Sequence, residues 1–161
     1  MALRAELKEF FRGRDGRRVV LVGIGSPIRH DDVAGLRVLE LLEGKTPKNV
    51  LLLPTEIVPE SYTGSIRDFS PTHVLLIDAA HFSGTPGEGR IIPPQSIANI
   101  SVSTHSLPLI ILIDYIKRSI CENVILLGIQ GVNIDLGEGL TPEVDDGARA
   151  IAELLSEVLN E

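Results

Sequence analysis

The chain is 161 residues long, carries a formal net charge of −7, and is 43% hydrophobic but only 4% aromatic. That length makes one domain around an aliphatic core, and an acidic balance with no basic stripe argues against nucleic-acid binding. The single cysteine, Cys121, excludes an internal disulfide and a cysteine-based zinc knuckle, and no apolar run reaches the roughly 18 residues that span a bilayer.

Residues 2–11 read as a short amphipathic helix with Leu3, Leu7, Phe10 and Phe11 on one side, so that 1–17 form a helical extension. No cleavable apolar core stands there, and the expected location is the cytoplasm, without membrane insertion. A β-branched run at 18–22 predicts the first strand. Gly23-Ile24-Gly25 turns it into a tight polar loop that closes on Asp31 and Asp32. An amphipathic helix is predicted over 32–43, stopped by Gly44 and Pro47. A second strand at 50–53 is cut by Pro54, a short helix follows over 59–68, and a third strand covers 74–77 with Asp78 at its carboxyl end.

The glycine-rich segment 82–89 leads into a short edge strand at 90–92, ended by two prolines. Residues 101–104 lead to His105 and an apolar helix running to about Ile120, with Ser106 or Thr104 as its cap. A last strand is predicted at 124–127. After the glycine-rich loop 128–139 comes a final helix with Thr141 at its N-cap and Pro142 first, its N-terminus favoured by Glu143, Asp145 and Asp146. Strands alternating with helices over residues 1–161 predict a single α/β domain. Its expected architecture is a three-layer α/β/α sandwich around a largely parallel, twisted sheet of about five strands.

Three chemistry-bearing side chains hold equivalent places in this order. Asp32 follows the first strand, Asp78 ends the third, and His105 precedes the long helix. Parallel strands bring their carboxyl ends to one edge, where ligand sites of open α/β sheets gather, so the three are expected to converge there. Two carboxylates and an imidazole suit a divalent borderline metal such as nickel or zinc, with positions open for water or a substrate atom. The same trio works without metal, because neighbouring carboxylates raise each other's pKa and divide acid and base roles.

Plainer roles are available to each of them. Asp31 or Asp32 fits the N-cap of the first sheet-flanking helix, Asp78 fits a turn, and His105 fits a hydrogen bond at a helix start. His73 reads as exposed, His30 and His81 as neighbours of the site, and Cys121 as a buried structural thiol. Gly23-x-Gly25 is no dinucleotide fingerprint: Ile28 takes the place of the third glycine, and two aspartates would face the pyrophosphate. Ser103 and Ser106 stand beside His105 without the Gly-x-Ser-x-Gly elbow of a serine hydrolase.

Several of these stretches together resemble the [NiFe]-hydrogenase maturation protease family, closest to its hydrogenase 3 endopeptidase branch. Gly23-Ile24-Gly25-Ser26 through Asp31-Asp32-x-x-Gly35 resembles the opening motif, and Leu76-Ile77-Asp78-Ala79 the second aspartate motif. Thr104-His105-Ser106-Leu107-Pro108-Leu109 resembles the histidine motif, and Pro86-Gly87-Glu88 and Leu127-Gly128-Ile129-Gln130 fit the same branch. Pro54-Thr55-Glu56 departs from the family's usual Asp-Gly-Gly turn. The resemblance implies a phosphorylase/hydrolase-like fold and an endopeptidase that removes the C-terminal extension of a hydrogenase large-subunit precursor after nickel insertion. Its catalytic and metal-contacting positions fall on Asp32, Asp78 and His105, with nickel recognised in the substrate and no permanent cofactor. Two other classes stay open at this point: a non-catalytic α/β metal- or partner-binding module, and a metal-dependent small-molecule hydrolase.

Overall fold

The computed structural model describes residues 2–13, 15–102 and 106–161. Strands β1 (Val19–Ile24), β2 (Val50–Glu56), β3 (His73–His81), β4 (Gly89–Ile92), β5 (Ser101–Val102) and β6 (Asn123–Gln130) form one sheet. The order along its main path is β2-β1-β3-β6-β4. The first four of these strands run parallel, and β4 closes the β6 edge antiparallel.

Helices α1 (Ala2–Phe10), α2 (Ala34–Leu42) and α5 (Pro142–Asn160) share one apolar cluster with one face of the sheet; α3 (Thr63–Asp68) and α4 (Ser106–Ser119) lie on the other. The strands sort their side chains between these layers with the strict alternation of extended backbone. Val19, Leu21, Leu75, Ile77, Leu127 and Ile129 face α2 and α5, while Val20, Val22, Val74, Leu76, Val124 and Leu126 face α4. This is the expected three-layer α/β arrangement with a mostly parallel sheet.

Several elements differ from the sequence reading: β2 runs through Pro54 to Glu56 where a stop at Leu53 was expected, and β6 runs on to Gln130 into the segment read as loop. Strand β3 does not stop at Ile77 but runs on to His81, past the end of β1, whose last pairing with it is Gly23 to Ile77. The strip of β3 left uncovered is taken by the two-residue strand β5, with Ala80 opposite Val102 and His81 opposite Ser101. Asp78 therefore sits inside a strand and not in a turn. The alternation places it on the face of Leu76 and Ala80, the face that α4 covers.

A further difference is His73. It is not exposed but buried, edge-on to the Phe10 ring and tilted against that of Phe11, with Nδ1 2.7 Å from Thr72 Oγ1. A helix as short as α1 does not hold itself together in water; it is held here by Leu7 and Phe11, both fully buried, each contributing about 1.5–3 kcal/mol relative to exposure. Arg17 donates to the Phe11 carbonyl at 2.6 Å and so ties the end of this segment down. Burial, helped by the Arg17 charge and opposed by a hydrogen bond to Phe10, pushes the His73 pKa below its ordinary value.

Below the ordinary value of about 6.5 the unfolded chain takes up a proton that the native His73 does not. Stability thus falls with pH through that window and is fully present above it. A thermal melt series is expected to show the midpoint dropping from pH 7 to pH 5, and His73→Gln is expected to flatten that drop.

Candidate active site

The chain leaves β1 at Ile24 and must turn at once, because the next helix packs back on the same strand. Gly25 permits this: a Cβ there would run into the Asp32 carbonyl. Gly35 permits the helix to dock, since a Cβ at that position would collide with the carbonyl oxygens of Ile77 and Ile24. The Asp31-Asp32-x-x-Gly35 spacing thus seats a 3-10 turn, His30–Val33, at the carboxyl ends of β1 and β3. The end of β2, where the sequence departs from the family pattern, braces it from the other side: Thr55 is buried and donates to Gly23 O at 3.2 Å, and Glu56 O accepts from Gly25 N at 3.0 Å. The Glu56 side chain is exposed.

Neither aspartate caps a helix. The residue at the N-cap of α2 is Val33, with no side-chain bond. Asp31 is fully buried and does different work. Its Oδ2 accepts from the backbone N–H groups of Val132 and Asn133 at 2.8 Å, and its Oδ1 accepts from Thr141 N at 2.8 Å, with Thr141 Oγ1 within 3.2 Å of both oxygens. Thr141, expected to cap α5, stands at the N-cap but lends its hydroxyl to Asp31. Around this clamp the loop after β1 is zipped to the loop after β6: Asp31 N to Asn133 O at 2.8 Å, His30 N to Gly137 O at 3.0 Å, Gly137 N to Ile28 O at 2.9 Å. His30, with Nδ1 2.9 Å from Gly139 O, is part of that zipper.

Asp32 is the opposite case. It is 8% exposed, and among the described residues no hydrogen bond reaches its carboxylate. Burial pushes its pKa up, with the Arg29 charge opposing and the Asp31 charge adding to the rise. Asp32 lines a cavity of about 280 Å³ together with Ala79, Ala80, His81, Val102 and Val132. A buried carboxylate that no described residue hydrogen-bonds, beside a cavity, is the kind of group that functional sites hold.

Asp78 is fully buried in β3, immediately before the two alanines that line this cavity, and is not itself part of the lining. His105 lies outside the described residues, as does Thr104, one of the two caps expected for α4; Val102 lines the cavity, and α4 opens at Ser106. Among the described residues, no three His, Cys, Asp or Glu side chains come together as a metal-holding group. Cys121 is half-buried just past α4, where burial pushes its thiol pKa up, away from nucleophilic duty.

The sequence reading missed Gln130 as a working side chain. It is buried, and it connects His81 of the cavity to the segment after β3. A lone polar residue closing the apolar run of β6 was the available signal.

Comparison with known proteins agrees with this geometry. Residues 36–161 match the family model described as HycI, hydrogenase maturation protease. The hydrogenase 3 maturation protease of Escherichia coli K12 is 34% identical over 137 residues, covering 84% of this chain and 87% of that protein. The crystal structure of the [NiFe] hydrogenase maturation protease HycI from Thermococcus kodakarensis superposes with a TM-score of 0.85 at 37% identity, covering 97% of this chain and 99% of the other. The maturating endopeptidase HybD of E. coli, 22% identical, shares the fold at a TM-score of 0.75 over 89% of this chain and 92% of its own. With its Gly-hinged aspartate turn at the carboxyl rim of a mostly parallel sheet, and with these relatives over most of its length, the chain belongs to the hydrogenase maturation proteases and is a peptidase.

Proposed function

We propose that the protein removes the C-terminal extension of a [NiFe]-hydrogenase large-subunit precursor once nickel has been inserted. Asp32, Asp78 and His105 are the residues assigned to contact the nickel, which enters as part of the substrate and not as a resident cofactor. Asp32 carries this reading: a carboxylate with raised proton affinity, on a residue lining a cavity, is the group suited to take a proton as water attacks the adjacent peptide bond. Engagement of the metal holds that bond in place and contributes through proximity.

A protein substrate also needs a surface. Large apolar side chains are exposed on the three loops at the carboxyl rim: Ile28 after β1, Ile57 and Val58 after β2, and Val132, Ile134 and Leu136 after β6. Such a cluster around a polar centre is characteristic of protein docking. No helix among the described residues is long and apolar enough to cross a membrane.

The test is mass measurement of a large-subunit precursor incubated with the protein, with and without nickel. Loss of a C-terminal fragment only from the nickel-loaded precursor is the expected result. A precursor that binds but is never shortened would instead establish a binding module, and stoichiometric metal in the purified protein a small-molecule hydrolase.

A further inference from the structure

The Gln130 carboxamide has its hydrogen-bonding capacity used inside the protein. Its Oε1 accepts from the N–H groups of Phe82 at 2.9 Å and Gly84 at 3.0 Å. Its Nε2 lies 2.9 Å from Gly131 O and 3.0 Å from His81 Nδ1. Two backbone donors converging on one atom identify that atom as the oxygen, because an amide nitrogen there would meet hydrogen with hydrogen. The nitrogen therefore faces His81, and its hydrogen makes Nδ1 an acceptor. In the neutral ring the proton is then on Nε2.

That ring is not a bystander. His81 stands between the cavity that Asp32 lines and a second one bounded by Phe82, Arg90 and Pro93, and its backbone is fixed where β5 covers the end of β3. With Nδ1 turned to Gln130, Nε2–H is the ring donor left for a ligand. The cavity thus presents an acceptor, Asp32, and a donor, His81, between apolar walls of Ala79, Ala80 and Val132. An extended peptide, with alternating N–H and C=O groups, has the complementary chemistry.

We propose that His81 is a substrate-binding residue whose Nε2–H donates to a carbonyl oxygen of the precursor peptide beside the scissile bond. Gln130 is its positioning residue, fixing the tautomer and the ring plane. The inference rests on the peptidase reading of the Asp32 cavity and adds to it a contact that the aspartate and histidine motifs do not contain.

Two measurements test it. Nitrogen-15 NMR of the ring of His81 in the wild-type protein is expected to show the Nε2–H tautomer at neutral pH; the Nδ1–H form overturns the proposal without any substrate. In single-substrate kinetics on nickel-loaded precursor, His81→Phe is expected to lose ~10-fold in kcat/KM, carried by KM more than by kcat, as for one lost hydrogen bond to bound peptide. His81→Gln, whose amide nitrogen reaches a similar place, is expected to recover most of the loss. Gln130→Met removes the donor to Nδ1, and is expected to mix the two tautomers of His81 and raise KM, by less than His81→Phe does. Wild-type kcat/KM in His81→Phe overturns the proposal and leaves the peptidase reading standing; a wild-type protein that never shortens the precursor removes both.

Discussion

Replacing Asp32 by Asn is expected to slow processing of nickel-loaded precursor by at least about 100-fold, the scale of losing a positioned proton acceptor, while the melting temperature stays at or above that of the wild type. The two halves of this result have one cause. The carboxylate is buried without a hydrogen bond from any described residue, and its pKa is raised chiefly by that burial. A raised pKa means the native state disfavours the charge, so a neutral isostere relieves the fold at neutral pH. In the free protein, an NMR titration of the Asp32 carboxyl is likewise expected to place its midpoint above the ordinary aspartate value of about 3.9. Precursor mass against time, with melts on the same samples, checks both. An Asp32→Asn protein that is unstable yet fully active would contradict the assignment.

Its neighbour is expected to behave in reverse. Asp31→Ala strips the acceptor from the N–H groups of Val132, Asn133 and Thr141 in one step. Hydrogen bonds to a buried charge and the penalty for donors left unmatched put the cost at about 3 kcal/mol or more. Urea denaturation should show it as a lower midpoint. Processing should fall in parallel, because the loop that walls the Asp32 cavity is no longer pinned. A cost below about 1 kcal/mol would mean that the zipper between the two loops stands without the clamp. Two adjacent residues of one chemical type thus differ in setting, one bonded to the loop that walls the cavity and the other lining it without a hydrogen bond from any described residue.

Much of this architecture was readable from residues alone. The strand cores, α2, the edge placement of β4 before two prolines, and the start of α5 at Pro142 follow from apolar periodicity and from glycine and proline punctuation, which act locally. Strand β5 was not readable: a two-residue strand has no period, and it exists only because β3 outruns β1 by several residues. His73 was misjudged because its cover comes from Phe10 and Phe11, at the end of a helix far away in sequence.

At the site, the placement of Asp32 at the carboxyl rim followed from the strand, glycine and acid order. The roles of Asp31 and Gln130 did not. Their partners sit in other loops, at Val132 and Thr141 for the one and at Phe82 and Gly84 for the other; a polar residue ending the apolar run of β6 marks Gln130 without naming its partners, and no local pattern marks Asp31. Capping was the natural local guess for an acid before a helix, and here a tertiary bond outbid it.

The clamp at Asp31 also orders events in time. It joins a residue near the beginning of the chain to partners at positions 132, 133 and 141, so the closure it depends on is among the longest the chain makes, and contacts of high sequence separation form late. During synthesis, β1 and its aspartate turn emerge long before the segment that pins them. A nascent polypeptide that stops short of residues 132–141 therefore lacks both the clamp on Asp31 and the loop wall of the Asp32 cavity.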